Sequence, residues 1–298
     1  MKEKPTLIVI TGPTASGKSA LAIEAALRLN TEIISADSRQ IYRGIPIVTA
    51  MPTEDELSLV PHHLINILPL DAYYSASMFE ENALVLANEI MAKNGSVIVC
   101  GGSMMYIDAL CNGIDALPTV PDNIRTGLEQ ERQQKGDDWL REELRSLDPD
   151  YYKKVDLQNL KRVFHAVEIC RTAGKPYSSL TTGIKRERPF QIKKYMISPD
   201  RETLFNRINS RVDAMVSAGL EQEARSVYPL RHLNSLNTVG LKEMFAWFDG
   251  TMDKETAISR IKKNTRVYAK KQLTWWSRDN MITPITGPYS SWLERLTS

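Results

Sequence analysis

An apolar, β-branched segment that runs directly into a glycine-rich loop constrains the fold of this chain more than any other feature. Residues 6–11 (TLIVIT) are typical of a buried parallel strand. The next eight residues, 12–19 (GPTASGKS), match the pattern G-x-x-x-x-G-K-[ST] in full. Residues 20–29, rich in alanine and leucine, predict a helix behind them. A strand, a glycine loop and a helix in this order predict a phosphate-binding loop, called the phosphate loop below (residues 12–19).

The residue types in the phosphate loop suit phosphate oxygens. Glycine allows backbone N–H groups to point inward, and the N-terminus of the following helix adds the positive end of its dipole. Lys18 would reach the terminal phosphate oxygens, and the Ser19 hydroxyl would ligate Mg²⁺. The predicted phosphate-binding residues are Gly12, Pro13, Thr14, Ala15, Ser16, Gly17, Lys18 and Ser19.

A carboxylate is expected beside this loop, but not where nucleotide hydrolases usually carry it. Those enzymes place an aspartate at the end of a second hydrophobic strand to hold Mg²⁺. The strand predicted at residues 96–100 (SVIVC) runs into two glycines instead, whereas Asp37 follows the short strand predicted at residues 32–35. From there Asp37 can accept a proton from a substrate, or it can simply cap the turn that it begins with Ser38.

Strands and helices alternate further along the chain, which predicts an α/β fold with a P-loop NTPase-like parallel sheet core. Residues 78–93 have helical spacing, and residues 191–198 form another strand pattern. Beyond it we expect a long helix, capped by Ser198 or Asp200 and ended by Gly219, and then mainly helices up to residue 278. The tail after Asp279 shows no recognisable chemistry.

The segment between the strands predicted at residues 96–100 and 191–198 differs in composition from the rest of the chain. Residues 119–189 are highly charged, with helical spacing and few β-branched runs, and they predict a helical insertion domain. The catalytic core is then expected to comprise residues 1–118 and 190–298.

The bulk composition is that of a soluble cytoplasmic protein. Hydrophobic residues make up 42% of the chain and charged residues 25%. The three cysteines are widely spaced without a CxxC pair, so neither a disulfide framework nor a zinc module is expected. The apolar run near the N-terminus is too short for a signal sequence or a membrane span. We therefore expect no membrane contact.

A basic segment, residues 260–278, favours a nucleic-acid partner. It contains seven Lys or Arg residues and no acidic residue, and it includes Trp275 and Trp276. Cations and aromatic rings in one stretch suit phosphate contacts and base stacking, although a solvated basic helix face would show the same pattern. We expect Lys270 and Lys271 to contact phosphates of such a partner.

Several motifs, taken together, resemble those of bacterial tRNA dimethylallyltransferases. They span most of residues 6–278 in the order of the family: GPTASGKS (12–19), DSRQIYRG (37–44), PHHLI (61–65), GGSMMY (101–106), GKP (174–176), NRINSRVDAMVSAGLEQE (206–223), VGLKEM (239–244) and NTRVYAKKQLTWW (264–276). The resemblance implies transfer of a dimethylallyl group from dimethylallyl diphosphate to N6 of the adenine 3′ to the anticodon. The substrates would be tRNAs that read codons beginning with U, and pyrophosphate would be released.

The same resemblance implies roles for single residues. Asp37 would be the general base on the N6 amine, Lys18 and Ser103 would complete the catalytic set, and Arg211 would add a phosphate contact. The anticodon stem-loop would be bound by Asp37, Ser38, Arg39, Gln40, Ser103, Arg125, Lys161, Arg162, His165, Lys270 and Lys271. Lys161 and His165 stand where the family commonly has Gln and Arg, which puts base readout through hydrogen bonds at those positions in doubt. The enzyme is expected to be a monomer that uses Mg²⁺.

Two other functions fit part of the pattern. A P-loop kinase of nucleosides or nucleotides would share the phosphate loop, Mg²⁺ and a strand-end aspartate, but it would leave the basic segment without a use. A non-catalytic nucleotide switch or RNA-binding module would have no use for Asp37 beside the phosphate loop.

Overall fold

The structure, a computed structural model, describes residues 4–285 and 291–294 of the chain. These residues divide into two compact units, one within Met1–Asn112 and Glu187–Ser298 and the other spanning Gly113–Arg186. The second unit starts at residue 113 rather than 119 and ends at residue 186 rather than 189. Composition marks only its charged helices, whereas the segments that lead into and out of them bond to each other. Thr182 Oγ1 donates to Asp115 Oδ1 at 2.7 Å, and Arg186 Nη2 donates to the Ile114 carbonyl at 3.0 Å.

One parallel sheet lies at the centre of the first unit. In the described residues it has six strands, β1 (Thr6–Thr11), β2 (Ile33–Ser35), β3 (His62–His63), β4 (Ser96–Gly101), β5 (Gln191–Ile197) and β6 (Ile282–Ile285), in the spatial order β3-β2-β4-β1-β5-β6. The register pairs Thr11 of β1 with Gly101 of β4, and Ser35 of β2 with Cys100. The segments that follow β1, β2 and β4 therefore leave the sheet side by side.

Helices make up most of the remaining described residues. In chain order they are α1 (Lys18–Leu29), α2 (Glu54–Leu59), α3 (Ala76–Asn94), α4 (Met104–Asn112), α5 (Asp122–Leu147), α6 (Pro149–Tyr152), α7 (Leu160–Ala173), α8 (Tyr177–Leu180), α9 (Arg201–Ser217), α10 (Leu220–Val227), α11 (Leu241–Phe248) and α12 (Lys254–Trp276). Short 3₁₀ turns lie at Tyr228–Leu230 and Asn234–Leu236, and residues 291–294 are also helical. In this part of the chain no helix is both long enough and apolar enough to cross a membrane.

Apolar clusters on both faces of the sheet explain why its central strands are apolar throughout. In β1, Leu7 and Val9 pack on one face with Phe79 of α3, while Ile8 and Ile10 pack on the other face among residues of α1. Successive side chains of a strand point to opposite faces, so a strand covered on both sides needs a continuous apolar run. A third cluster joins α9–α12 to the segment after β2.

The second unit has its own core. Leu128, Leu140 and Leu144 of α5 pack against Val163 and Val167 of α7, all of them buried. The helix α5 breaks at Gly136, whose backbone has φ 86° and ψ 175°. A separate core of this kind is what a helical insertion needs to keep its shape.

The predicted strands at residues 6–11, 32–35, 96–100 and 191–198 and the helices at residues 20–29 and 78–93 are confirmed, with ends shifted by a residue or two. The long helix predicted after residue 200 is α9, whose N-cap Asp200 accepts the Thr203 N–H at 2.9 Å. The α/β fold with a P-loop NTPase-like sheet is likewise confirmed. Both outer strands, β3 and β6, were missed by the sequence analysis.

Candidate active site

A cavity of about 510 Å³ lies where the segments after β1, β2 and β4 meet α9 and α12. Its polar wall includes Thr14, Lys18, Ser19, Asp37, Ser38, Arg39, Gln40, Arg211, Lys242, Lys271 and Gln272. Its apolar wall includes Val48, Ile65, Val212, Met215, Leu220, Val239 and Ile261. One cavity thus combines the phosphate loop, a carboxylate and an apolar surface.

The phosphate loop folds tightly against the end of β5. Gly12 has φ 150°, and a Cβ there would lie 2.7 Å from the Ile197 carbonyl oxygen, so only glycine fits. The Ser16 hydroxyl is buried and has no hydrogen-bond partner among the described residues. Because a buried hydroxyl without a partner is costly, it indicates a place where a ligand oxygen binds.

Three cations surround this loop. Burial lowers the pKa of Lys18, although Cys100 and Asp37 nearby act in the opposite direction. Arg211 Nη1 lies 3.4 Å from Thr14 Oγ1, and burial lowers the pKa of this guanidinium too. Arg207, which the sequence analysis did not select, donates from Nη1 to the Ser16 carbonyl at 3.2 Å. Arg207 and Arg211 are four residues apart on α9, which puts both arginines on one helix face. This spacing is visible in the sequence.

Asp37 uses one carboxylate oxygen within the protein. Its Oδ1 accepts the backbone N–H of Arg39 at 2.9 Å and that of Gln40 at 3.3 Å, which closes a turn over residues 37–40, the Asp37 turn. Oδ2 makes no hydrogen bond to any residue that the structure describes. The turn cap expected as an alternative to a base is therefore present, and it leaves one oxygen for a substrate.

Ser103 supports the same turn. Its buried hydroxyl oxygen accepts the Ser38 N–H at 2.7 Å, and its backbone N–H donates to the Ala36 carbonyl at 3.1 Å. The hydroxyl predicted to contact tRNA thus has a partner inside the protein, on the residue next to Asp37.

The side chains of Arg39 and Gln40 hold neighbouring segments. The Arg39 guanidinium donates to the carbonyl oxygens of Asn234, Ser235 and Asn237 at 2.8, 3.1 and 3.4 Å. Gln40 Nε2 donates to the carbonyls of Thr49 and Ala50 at 3.1 and 3.0 Å. In this structure these donors fix the walls of the cavity.

The side chains of the basic segment on helix α12 lie in different surroundings. Lys271 lines the cavity, whereas the Lys270 ammonium lies 5.6 Å from the Phe205 ring centroid. The expected stacking role is wrong for Trp276, which is only 3% exposed and belongs to the core under the sheet, with Trp275 packed against the same cluster. Large apolar rings gain more from burial in that core than from exposure on a basic surface.

Several further residues of α12 line the cavity and were missed, among them Tyr268 and Gln272. Tyr268 lies on its wall, and burial raises the pKa of its phenol to about 12. Gln272 is buried, and its side-chain amide bonds to Thr14 and Gly102. Together with Lys271 they follow helical spacing, so one helix face could have been selected from the sequence.

In the second unit, the predicted tRNA-binding cations cluster near the start of α7. Arg125 Nε donates to Glu168 Oε2 at 3.1 Å, and His165 Nδ1 lies 2.8 Å from Glu168 Oε1. Burial raises the pKa of Glu168, but the hydrogen bonds from His165 and Arg125 outweigh it and lower that pKa overall. Lys161 and Arg162 are exposed on the first turn of α7.

The described residues contain no group of three or more His, Cys, Asp or Glu side chains that could hold a metal ion. Ser19 and Asp37 both line the cavity, which offers a cation one hydroxyl and one carboxylate. A cation held by these two side chains would take further ligands from a substrate or from water.

Residues 40–279 match the family model described as IPP transferase. The chain belongs to the IPP transferase family. Within it, the tRNA dimethylallyltransferase 1 of Phocaeicola vulgatus is 51% identical over 277 residues, which cover 93% of this chain and 92% of that one. The tRNA dimethylallyltransferase 2 of Parabacteroides distasonis is 50% identical over 278 residues, 93% of each chain.

Solved structures of IPP transferases share the fold. The tRNA delta(2)-isopentenylpyrophosphate transferase of Staphylococcus epidermidis superposes with a TM-score of 0.70 at 33% identity, covering 99% of this chain and 98% of that one. A eukaryotic dimethylallyltransferase acting on tRNA gives a TM-score of 0.75 at 28% identity, covering 91% and 69%. The family suggested by the sequence motifs is therefore confirmed.

Proposed function

We propose that this IPP transferase moves the dimethylallyl group of dimethylallyl diphosphate to N6 of the adenine 3′ to the anticodon, in tRNAs that read codons beginning with U. Pyrophosphate is the second product. One observation carries the proposal: the phosphate loop and Asp37, with an oxygen that bonds to no described residue, line the same cavity. Leaving group and nucleophile can therefore be held together.

The diphosphate binds at the phosphate loop. Lys18 and Arg211 supply positive charge there, and the buried Ser16 hydroxyl supplies a donor that has no partner in the described protein. Negative charge grows on the diphosphate as the C–O bond to the allyl group breaks. Fixed cations and donors at that place stabilise the transition state more than the ground state.

Asp37 acts on the nucleophile. The N6 amine of adenine is weakly nucleophilic because its lone pair is delocalised into the ring. A hydrogen bond from N6 to Asp37 Oδ2 orients the amine towards C1 of the allyl group, and the carboxylate accepts the proton as the new C–N bond forms. The Oδ1 bonds keep the carboxylate from rotating away.

The apolar wall receives the prenyl chain. Met215 follows Arg211 by one helical turn on the same face of α9, so it can contact the alkyl end of a substrate whose diphosphate lies at Arg211. Val48, Val239 and Ile261 complete this surface. Apolar contact is also compatible with the partial positive charge that an allylic carbon carries.

Mg²⁺ is the proposed cofactor. A hydroxyl and a carboxylate on the cavity wall fit an ion that keeps several waters and takes its other ligands from substrate phosphates. An ion held there by Ser19 and Asp37 would neutralise part of the diphosphate charge. Ser19 is the proposed protein ligand.

The anticodon stem-loop is the proposed macromolecular partner, bound by a monomer in the cytoplasm. An adenine must leave its stack to reach Asp37, which costs a few kcal/mol in a duplex and less in a loop. Ser38 and Lys271 line the cavity that the loop would enter, and Arg39 and Gln40 shape its walls. Ser103, whose buried hydroxyl accepts the Ser38 N–H, acts on the loop through that bond. Arg125, Lys161, Arg162, His165 and Lys270 are the further tRNA contacts that we propose.

A nucleoside or nucleotide kinase is the rival function. It predicts phosphate transfer from ATP, and it leaves the apolar wall and family membership unexplained. The test is to incubate the protein with unmodified tRNA, Mg²⁺ and dimethylallyl diphosphate, and to analyse the digested nucleosides by mass spectrometry. Adenosine should gain one five-carbon unit, and Lys18→Ala should abolish the gain. ATP-dependent phosphorylation of a small molecule without any modified adenosine would contradict the proposal.

A further inference from the structure

Gln272 joins two loops of the cavity through a single side chain. It is 2% exposed and lies on α12. Its Oε1 accepts the backbone N–H of Thr14 in the phosphate loop at 2.9 Å. Its Nε2 donates to the carbonyl of Gly102, directly after β4, also at 2.9 Å. A carboxamide can do both at once because it carries an acceptor and a donor.

The residue at position 102 must leave room for this bridge. A Cβ on Gly102 would overlap Gln272 Nε2, so the buried amide would have to shift away from the Gly102 carbonyl. Glycine therefore allows the backbone to approach the amide closely.

Further hydrogen bonds connect Gly102 to the turn that holds Asp37, the proposed general base. The next residue, Ser103, donates its N–H to the Ala36 carbonyl and accepts the Ser38 N–H on its hydroxyl. Asp37 lies between those two partners. Thr14, Gln272, residues 102–103 and the Asp37 turn thus form one connected path from the phosphate loop to the carboxylate.

We propose that Gln272 is a positioning residue that fixes the phosphate loop relative to Asp37, and so sets the placement of the departing diphosphate relative to the base. The role in transfer rests on the proposed function above. The bond also occupies the Thr14 N–H, so that this amide is used for loop geometry and not for phosphate. Gln272 itself touches no substrate.

Two substitutions separate this role from simple packing. Gln272→Met retains the approximate size and removes both hydrogen bonds at every pH. Gln272→Glu retains an acceptor for Thr14, but when ionised it faces the Gly102 carbonyl with an oxygen instead of a donor. When protonated it can donate again, and burial next to a carbonyl favours the protonated form. Exposed Gln222→Met, outside the site, is the matched control.

The experiment measures the affinity for pyrophosphate by calorimetry and the single-turnover transfer rate at saturating substrates, each across pH. Gln272→Met should lose about tenfold in affinity and more in transfer rate, with the pH profile of the wild type. Gln272→Glu should be equally impaired at high pH and should recover as the pH falls. Gln222→Met should match the wild type throughout.

The proposal is overturned if Gln272→Met retains wild-type affinity and rate, or if Gln272→Glu follows the wild-type pH profile. Should Gln272→Met fail to fold, Gln272→Glu still decides, because its affinity and rate relative to the wild type are compared at two pH values. If the wild type transfers no prenyl group, the proposed function fails, whereas pyrophosphate affinity still tests the bridge made by Gln272.

Discussion

At the scale of single residues, Asp37 serves both the fold and the proposed reaction. Its Oδ1 accepts two backbone N–H groups of its own turn, and its Oδ2 is left for N6. The two functions differ in what they require. A turn cap needs only an acceptor, whereas a general base needs a group that takes up a proton.

Substitutions at Asp37 should therefore separate stability from rate. Asp37→Asn retains an acceptor for the turn, so its free energy of unfolding should be close to that of the wild type while kcat falls about 10²- to 10⁴-fold. Asp37→Ala should show the same loss of rate and also lose about 1 kcal/mol of stability. Denaturant unfolding and steady-state kinetics measure both. Full activity of Asp37→Asn would contradict the role as base.

The second prediction at this scale concerns Lys18 and pH. Its ammonium binds the diphosphate, and burial lowers its pKa below the ordinary 10.5. Pyrophosphate affinity should then be complete below that lowered pKa and should be lost as the pH rises through it. Lys18→Arg keeps its charge in this range and should hold its affinity to higher pH. The ratio of the two affinities cancels the ionisation of pyrophosphate itself. A ratio that does not change with pH would contradict the prediction.

At the level of secondary-structure elements, α12 shows why the composition of a segment does not determine the surroundings of its side chains. Its basic residues and tryptophans are adjacent in sequence, but Trp276 belongs to the core, Lys270 lies over Phe205, and Lys271 lines the cavity. Residues next to each other on a helix point in different directions. Counting charges over a segment cannot assign them to faces, whereas helical spacing from Tyr268 could have done so.

The effect of a substitution in α12 should depend on which face of the helix carries the residue. Trp276→Ala should cost about 3 to 5 kcal/mol of stability, because it empties a core position. Lys271→Ala should leave stability unchanged, weaken tRNA binding and reduce the slope of log K against log salt by about 1. Thermal unfolding and binding titrations at several salt concentrations test both. An unchanged salt slope for Lys271→Ala would exclude a phosphate contact.

At the scale of the whole molecule, local patterns were predictable and long-range pairings were not. The phosphate loop and β1 were predictable because one continuous run, residues 6–19, specifies them. The outer strands β3 and β6 are short and depend on pairing with β2 and β5. The two contacts of Gln272 span 258 and 170 residues of sequence. No local pattern reports such contacts.

The two compact units lead to a prediction about binding. If the second unit contributes only to tRNA recognition, removing its cations should not affect the diphosphate. Lys161→Ala and Arg162→Ala should weaken tRNA binding while pyrophosphate affinity stays at the wild-type value. Lys175→Ala, an exposed lysine beyond the other end of α7, is the control and should have little effect. Equal losses for all three variants would indicate only general charge attraction.

The stoichiometry of pyrophosphate release in a single turnover tests whether the phosphate loop holds a leaving group. Enzyme in excess is mixed with dimethylallyl diphosphate and Mg²⁺, with and without tRNA, and released pyrophosphate and prenylated adenosine are counted together. If the phosphate loop holds a leaving group for an amine attack, one pyrophosphate should appear for each modified adenosine, and none without tRNA. Pyrophosphate released at the same rate without tRNA, or pyrophosphate released with tRNA but without prenylated adenosine, would contradict the proposed function.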